Sequence, residues 1–129
     1  MIAKGACTVF VTMLKSKLHL ARVTASKRDY EGSLEIDLEL MDRVHLLPYE
    51  KILVSNMENG NRFETYAIPG PRGSGVIGLN GATTHLGKVG DRIIIFAFAS
   101  VPAESAAAHR PLILVLDEKN QPVGGLKQI

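Results

Sequence analysis

The chain has 129 residues, 46% of them hydrophobic, and sets 15 basic against 13 acidic side chains for a formal charge of +2. That length and apolar content suit one compact core and not two, so a single domain over residues 1–129 is expected. With so little net charge, and only three Tyr, four Phe and no Trp to stack on bases, nucleic acid is not an expected partner.

Cys7 stands alone, so no internal disulfide can form and no oxidising compartment is required. The run ACTVFVTML between Lys4 and Lys15 is too short to span a bilayer, and no small-x-small cleavage site follows it. No membrane partner is expected, and the cytoplasm is the expected location.

From Cys7 to Thr24 the sequence is rich in Val, Thr, Leu and Phe, which predicts one or two strands with a bend near Lys15–Ser16. A short strand ends at Asp37, which also serves as N-cap for a helix carrying Leu38, Met41 and Val44 at helical spacing and stopped by Pro48. KILVSNMENGNRFETYAI predicts a hairpin about Asn59-Gly60, a pair suited to positive φ in a tight turn. PGPRGSG reads as a loop; VIGLNG and DRIIIFAFAS read as strands joined by a polar turn around Gly87 to Asp91. AESAAAHR, between Pro102 and Pro111, predicts a short helix, LILVL a last buried strand, and Gly124-Gly125 an unordered tail. Six or more short strands with two small helices point to a closed β-barrel and away from a βαβ sheet.

Several familiar motifs fail on context. GSGVIG at 73–78 fits the dinucleotide-binding pattern, yet a strand follows it where the pattern needs a helix N-terminus to hold a pyrophosphate. Gly81 to Lys88 resembles a phosphate loop but has five residues between its glycines and Val89 where Ser or Thr should bind Mg²⁺. His19, His45, His85 and His109 show no metal-ligand spacing, so no metal is expected. No G-x-S-x-G elbow supports a hydrolase triad, and Cys7 as a nucleophile is equally unsupported.

Four segments remain: KLH at 17–19, YEGS at 30–33, NGNRFETYAI at 59–68 and RGSGVIGLNGA at 72–82. In order and spacing they resemble the pyruvoyl-dependent aspartate 1-decarboxylase family from about Met13 to Leu116. Residues before Met13 take no part in the resemblance.

The resemblance implies a mainly β fold, a six-stranded double-psi β-barrel with short helices, assembled as a homotetramer. It also implies a proenzyme that cuts itself between Gly32 and Ser33, leaving residues 1–32 and 33–129 associated. The Ser33 hydroxyl attacks the Gly32 carbonyl, the ester eliminates, and the resulting dehydroalanine hydrolyses to a pyruvoyl group at residue 33. Cleavage proceeds alone or with a maturation protein, and both routes stay open here. Glycine at 32 gains a reason, since it permits the close approach such an attack needs.

Loss of CO₂ leaves an electron pair on the substrate's α-carbon, and no standard side chain can absorb it. Pyridoxal phosphate would need a lysine and a phosphate cradle, and the sequence shows no convincing cradle. A covalently held pyruvoyl ketone from Ser33 answers the need, with L-aspartate as substrate and β-alanine, a pantothenate precursor, as product.

By the same resemblance, Arg62 pairs a substrate carboxylate through its planar fork, and Lys17 holds the second acidic group. Tyr66 is the proton donor, a role open to a phenol at neutral pH. Thr65 binds substrate or steadies the oxyanion of self-cleavage, Asn80 orients the reacting groups, and His19 assists processing. Gly81, Ala82 and Thr83 supply backbone contacts to substrate, although alanine is commoner in the family at position 83. Ser55 also departs from the bulkier side chain some members carry near the site. The alternative reading is a small β-barrel that binds a ligand or partner without catalysis.

Overall fold

In Lys51–Asn56 the side chains of Ile52, Val54 and Asn56 are buried and those between them are not, the period-two pattern of a strand with one face on a core. The same logic runs through the computed structural model, which describes residues 8–127; Cys7 lies outside them. Its strands are β1 (Phe10–Arg22), β2 (Ala25–Lys27), β3 (Leu34–Asp37), β4 (Lys51–Asn56), β5 (Arg62–Gly70), β6 (Ile77–Asn80), β7 (Arg92–Pro102) and β8 (Leu112–Val115). One α-helix, α1 (Leu38–Arg43), and two 3-10 turns, Gly81–His85 and Ala103–Ala108, complete the set. No helix among the described residues is long and apolar enough to cross a membrane.

The strands form one mixed sheet in the order β2-β6-β3-β5-β4-β7-β1-β8. Only Val23 and Thr24 separate β1 from β2, and the Thr24 N–H donates to the Ile77 carbonyl at 2.8 Å. The continuous chain therefore links β2, at one end of the order, to β1, the strand next to its other end. Eight strands stand where six were expected, for two reasons: the long first strand is interrupted before β2, and β8 adds itself parallel to β1. Leu18, Leu34, Ile36, Ile52, Ile77, Leu79, Ile93 and Ile95 fill the interior. Each such burial contributes roughly 1.5–3 kcal/mol.

The expected bend at Lys15–Ser16 is a shift in the β1–β7 register between Leu14 and Ser16. Asp37 caps α1 as expected, accepting the Glu39 N–H at 2.9 Å, and also takes the N–H groups of Gly73 and Gly75 at 2.8 Å each. It thereby ties the 71–76 loop to the helix start.

Other expectations need correction. The helix ends at Arg43, well before Pro48, because His45 turns left-handed at φ 58° and the Leu46 N–H returns to the Met41 carbonyl. The hairpin exists, but of the Asn59-Gly60 pair only Gly60 has positive φ, at 75°. Its turn spans residues 57–61, where the Asn59 side chain accepts the Asn61 N–H. VIGLNG stops being a strand at Asn80, with a 3-10 turn inserted before the polar turn. The tail is laid along β8: Val123 N–H donates to Val115 O and Lys127 N–H to Ile113 O, each at 2.8 Å.

Candidate active site

The end of β6 and the start of β3 fix the centre of the site. Their antiparallel register pairs Leu34 with Leu79, so the preceding residue of one strand meets the following residue of the other, and the Asn80 N–H reaches the Ser33 carbonyl at 3.2 Å. Gly32 and Ser33 both take positive φ, 36° and 83°. For a residue with a Cβ this region costs about 1–2 kcal/mol, and such strain concentrates where a protein does chemistry.

Ser33 is only 2% exposed, and its Oγ has no hydrogen-bond partner; the Oδ1 of Asn80, 1% exposed, has none either. A buried, unpaired polar atom costs on the order of 1–3 kcal/mol. Two of them at one main-chain junction need a reason beyond packing.

Two further elements close round this junction. Gly81, at φ 60°, opens the 3-10 turn so near residues 30–32 that a Cβ on it would fall 3.0 Å from Gly32 N and 3.1 Å from Tyr30 O. From β5, which pairs Ala67 with Leu34 in parallel, the Tyr66 hydroxyl comes within 3.4 Å of where a Cβ on Gly32 would lie. A cavity of about 600 Å³ opens beside them, lined by Asp29, Tyr30 and Glu31 on one side and Tyr49, Tyr66 and Ile68 on another. Tyr49 leans on Tyr66 with ring centroids 6.4 Å apart.

The expected cations gather elsewhere on the sheet. Lys17 Nζ lies 5.6 Å and Arg62 Cζ 6.0 Å from the centroid of the same Phe96 ring. Among the described residues the ion pairs engage Lys15, Lys51, Arg72, Lys88 and Arg92, leaving Lys17 and Arg62 without an acidic partner. His19 is held below the usual histidine range by burial, then by the charges of Lys17 and Lys127, and its Nδ1 is buried without a partner.

The structure thus brings Gly32, Ser33, Tyr66, Asn80 and Gly81 together, and places Lys17 and Arg62 about one ring. Thr65 lies next to Tyr66 on β5, where alternation sends neighbouring side chains to opposite faces. Thr83 is buried and its hydroxyl donates to the Asn80 carbonyl at 2.7 Å, so it braces the turn; Ala82 is exposed. Ser55 sits opposite Arg62 in the β4–β5 register.

Sequence reasoning missed Phe96 and Tyr49. The alternation of IIIFAFA signalled a strand with Phe96 on one face, but its place beneath Lys17 depends on the β1–β7 register. Tyr49 at φ 69° carried no local signal, since a tyrosine after proline gives no reason to expect a left-handed backbone.

A buried serine on a strained backbone, its hydroxyl unpaired and the preceding Gly32 approached by Gly81 and Tyr66, defines a mainly β protein whose site is built round its own main chain. The family model described as aspartate decarboxylase matches residues 9–123. An aspartate 1-decarboxylase of Syntrophobacter fumaroxidans is 53% identical over 116 residues, covering 89% of this chain and 94% of that protein. Those of Pelotomaculum thermopropionicum and a Geobacillus species are 51% and 49% identical over 113 residues, covering 88% of this chain and 86% and 89% of theirs. The chain belongs to the aspartate decarboxylase family.

Proposed function

We propose that this chain decarboxylates L-aspartate to β-alanine and CO₂ for pantothenate synthesis, using a pyruvoyl group made from its own Ser33. The observation that carries the proposal is the Ser33 Oγ, buried and unpaired beside Gly32 on a left-handed backbone. A satisfied structural serine would have neither feature.

Attack of Oγ on the Gly32 carbonyl converts the amide into an ester. Elimination then removes the Cα proton of residue 33 and releases residues 1–32 with a free carboxylate. The dehydroalanine left behind takes up water and loses ammonia, leaving residues 33–129 capped by a pyruvoyl group. That ketone supplies the sink for the electron pair freed at the substrate's α-carbon. Asn80 and Gly81 line the junction, with Asn80 orienting the ester and Thr65 steadying the oxyanion; His19 assists processing. In turnover Tyr66 gives the proton to the α-carbon, Arg62 and Lys17 bind the two carboxylates, and the backbone of Gly81, Ala82 and Thr83 contacts the substrate. Two cations without acidic partners among the described residues suit a substrate with two carboxylates.

The reading extends to the assembly. β1 with β2, β6, β3, β5, β4 and β7 make a six-membered ring once β1 and β2 count as one bent strand, which supports a double-psi barrel with β8 appended. Exposed Phe10, Val11 and Phe98 on paired β1 and β7 support burial against further copies in a homotetramer. The enzyme works in the cytoplasm, and a maturation protein is a candidate partner for the cleavage step. The test is a Ser33→Ala variant, expected to stay one chain and to release no CO₂ from aspartate. CO₂ release from that variant would remove Ser33 as the source of the electron sink.

A further inference from the structure

The last described residue of the chain carries a cation that lies outside the family match, which stops at residue 123. The Lys127 N–H donates to the Ile113 carbonyl at 2.8 Å, so the tail runs beside β8. β8 in turn pairs Ile113 with Lys17 and Val115 with His19 across its parallel ladder to β1. Lys17, His19 and Lys127 rim a cavity of about 210 Å³ whose floor is Ile113 and Val115.

Two ammonium groups and an imidazole meet there, with no carboxylate among the described residues of the lining. Among the described residues neither lysine is engaged in an ion pair. Like charges gathered over an apolar floor repel unless an anion joins them, and the low-dielectric wall strengthens the attraction when one does. Burial first, and then the charges of Lys17 and Lys127, hold His19 below its ordinary pKa, in keeping with that geometry. The size of the cavity suits a small acid and is below that of drug-sized ligand pockets.

We propose that Lys127 completes a carboxylate-binding pocket with Lys17 and His19, making it a substrate-affinity residue beyond the segment that defines the family. The inference rests on the reading of Lys17 as the holder of the substrate's second acidic group. The pocket's ligand is then the side-chain carboxylate of the substrate.

Succinate is the probe, a four-carbon dicarboxylate that has no amine and so cannot react. Its binding to the processed protein is measured by calorimetry at constant ionic strength, against neutral succinamide, for the parent and the Lys17→Gln, Lys127→Gln and Lys119→Gln chains. Lys119, an exposed residue away from the cavity, controls for loss of net charge. Lys127→Gln and Lys17→Gln are expected to weaken succinate by about 3–10-fold each, and Lys119→Gln by less than about twofold. In Lys127→Gln the His19 ring, followed by NMR, should titrate at higher pH because a positive neighbour has gone. Loss of affinity in Lys17→Gln alone, with His19 unmoved by Lys127→Gln, overturns the role of Lys127 and leaves Lys17 in place. Succinate binding no tighter than succinamide, or unchanged by either substitution, overturns the pocket and the Lys17 reading together.

Discussion

Alanine at position 81 would add a methyl 3.0 Å from the Gly32 nitrogen, on a residue already at φ 60°. Both effects act against the variant, so Gly81→Ala should lose about 1–3 kcal/mol of stability and accumulate uncleaved chain. Urea unfolding with gel analysis checks this; full stability and full cleavage would show that the backbone approach is unimportant. Arg62→Ala takes away the cation proposed to pair with a substrate carboxylate and should lower kcat/KM by roughly ten- to a hundredfold; steady-state kinetics with aspartate decide, and an unchanged value returns Arg62 to the solvated surface. His19 has a folded pKa below its ordinary 6.5. The unfolded chain therefore binds its proton first, and its contribution to stability falls as pH drops from about 6.5 towards the folded value. Replacing His19 by Gln should flatten that part of the stability profile. At this scale the sequence was legible where residues that meet in space sit in short contiguous stretches, as Gly32 and Ser33 do in YEGS. It was not legible for Phe96, whose meeting with Lys17 and Arg62 needs a pairing between strands far apart in the chain.

Among elements, Asp37 does two jobs that the sequence announced only by half. Its position before Leu38 predicted the cap, but the Gly73 and Gly75 N–H groups it also accepts come from a loop with no local relation to it. Asp37→Ala should therefore cost more than a cap alone, about 2–4 kcal/mol, measured by urea unfolding; a loss below about 1 kcal/mol would mean that the loop does not depend on it. The strands were readable from alternation, as in KILVSN, and from β-branched runs, as in RIIIF. Element ends were less so: His45 stops α1 through backbone conformation, and the 57–61 turn is held by the Asn56 and Asn59 side-chain oxygens, which accept the Glu58 and Asn61 N–H groups. β2 parted from β1 because Val23 and Thr24 turn their N–H groups to Asp91 and Ile77.

Across the whole molecule, the same closure holds the fold and shapes the site. β3, β5 and β6 all contribute to the core and place Ser33 just before β3, Tyr66 in the middle of β5 and Asn80 at the end of β6. Acid should loosen this arrangement from the β7 side. Burial raises the pKa of Asp91, but hydrogen bonds from the Asn56 side chain and from the Lys88 side chain and N–H outweigh it and leave the carboxyl below its ordinary 3.8. Its stabilising effect is present above that value and disappears as pH falls through the folded pKa, so Asp91→Asn should blunt unfolding below about pH 4 as followed by circular dichroism. The central claim, that Ser33 gives up its hydroxyl and nitrogen to become the electron sink, is tested most directly by intact mass analysis of purified, active protein. The account predicts two fragments, one ending at Gly32 and one beginning with a pyruvoyl-blocked residue 33. Active protein consisting only of the unbroken 129-residue chain would contradict it.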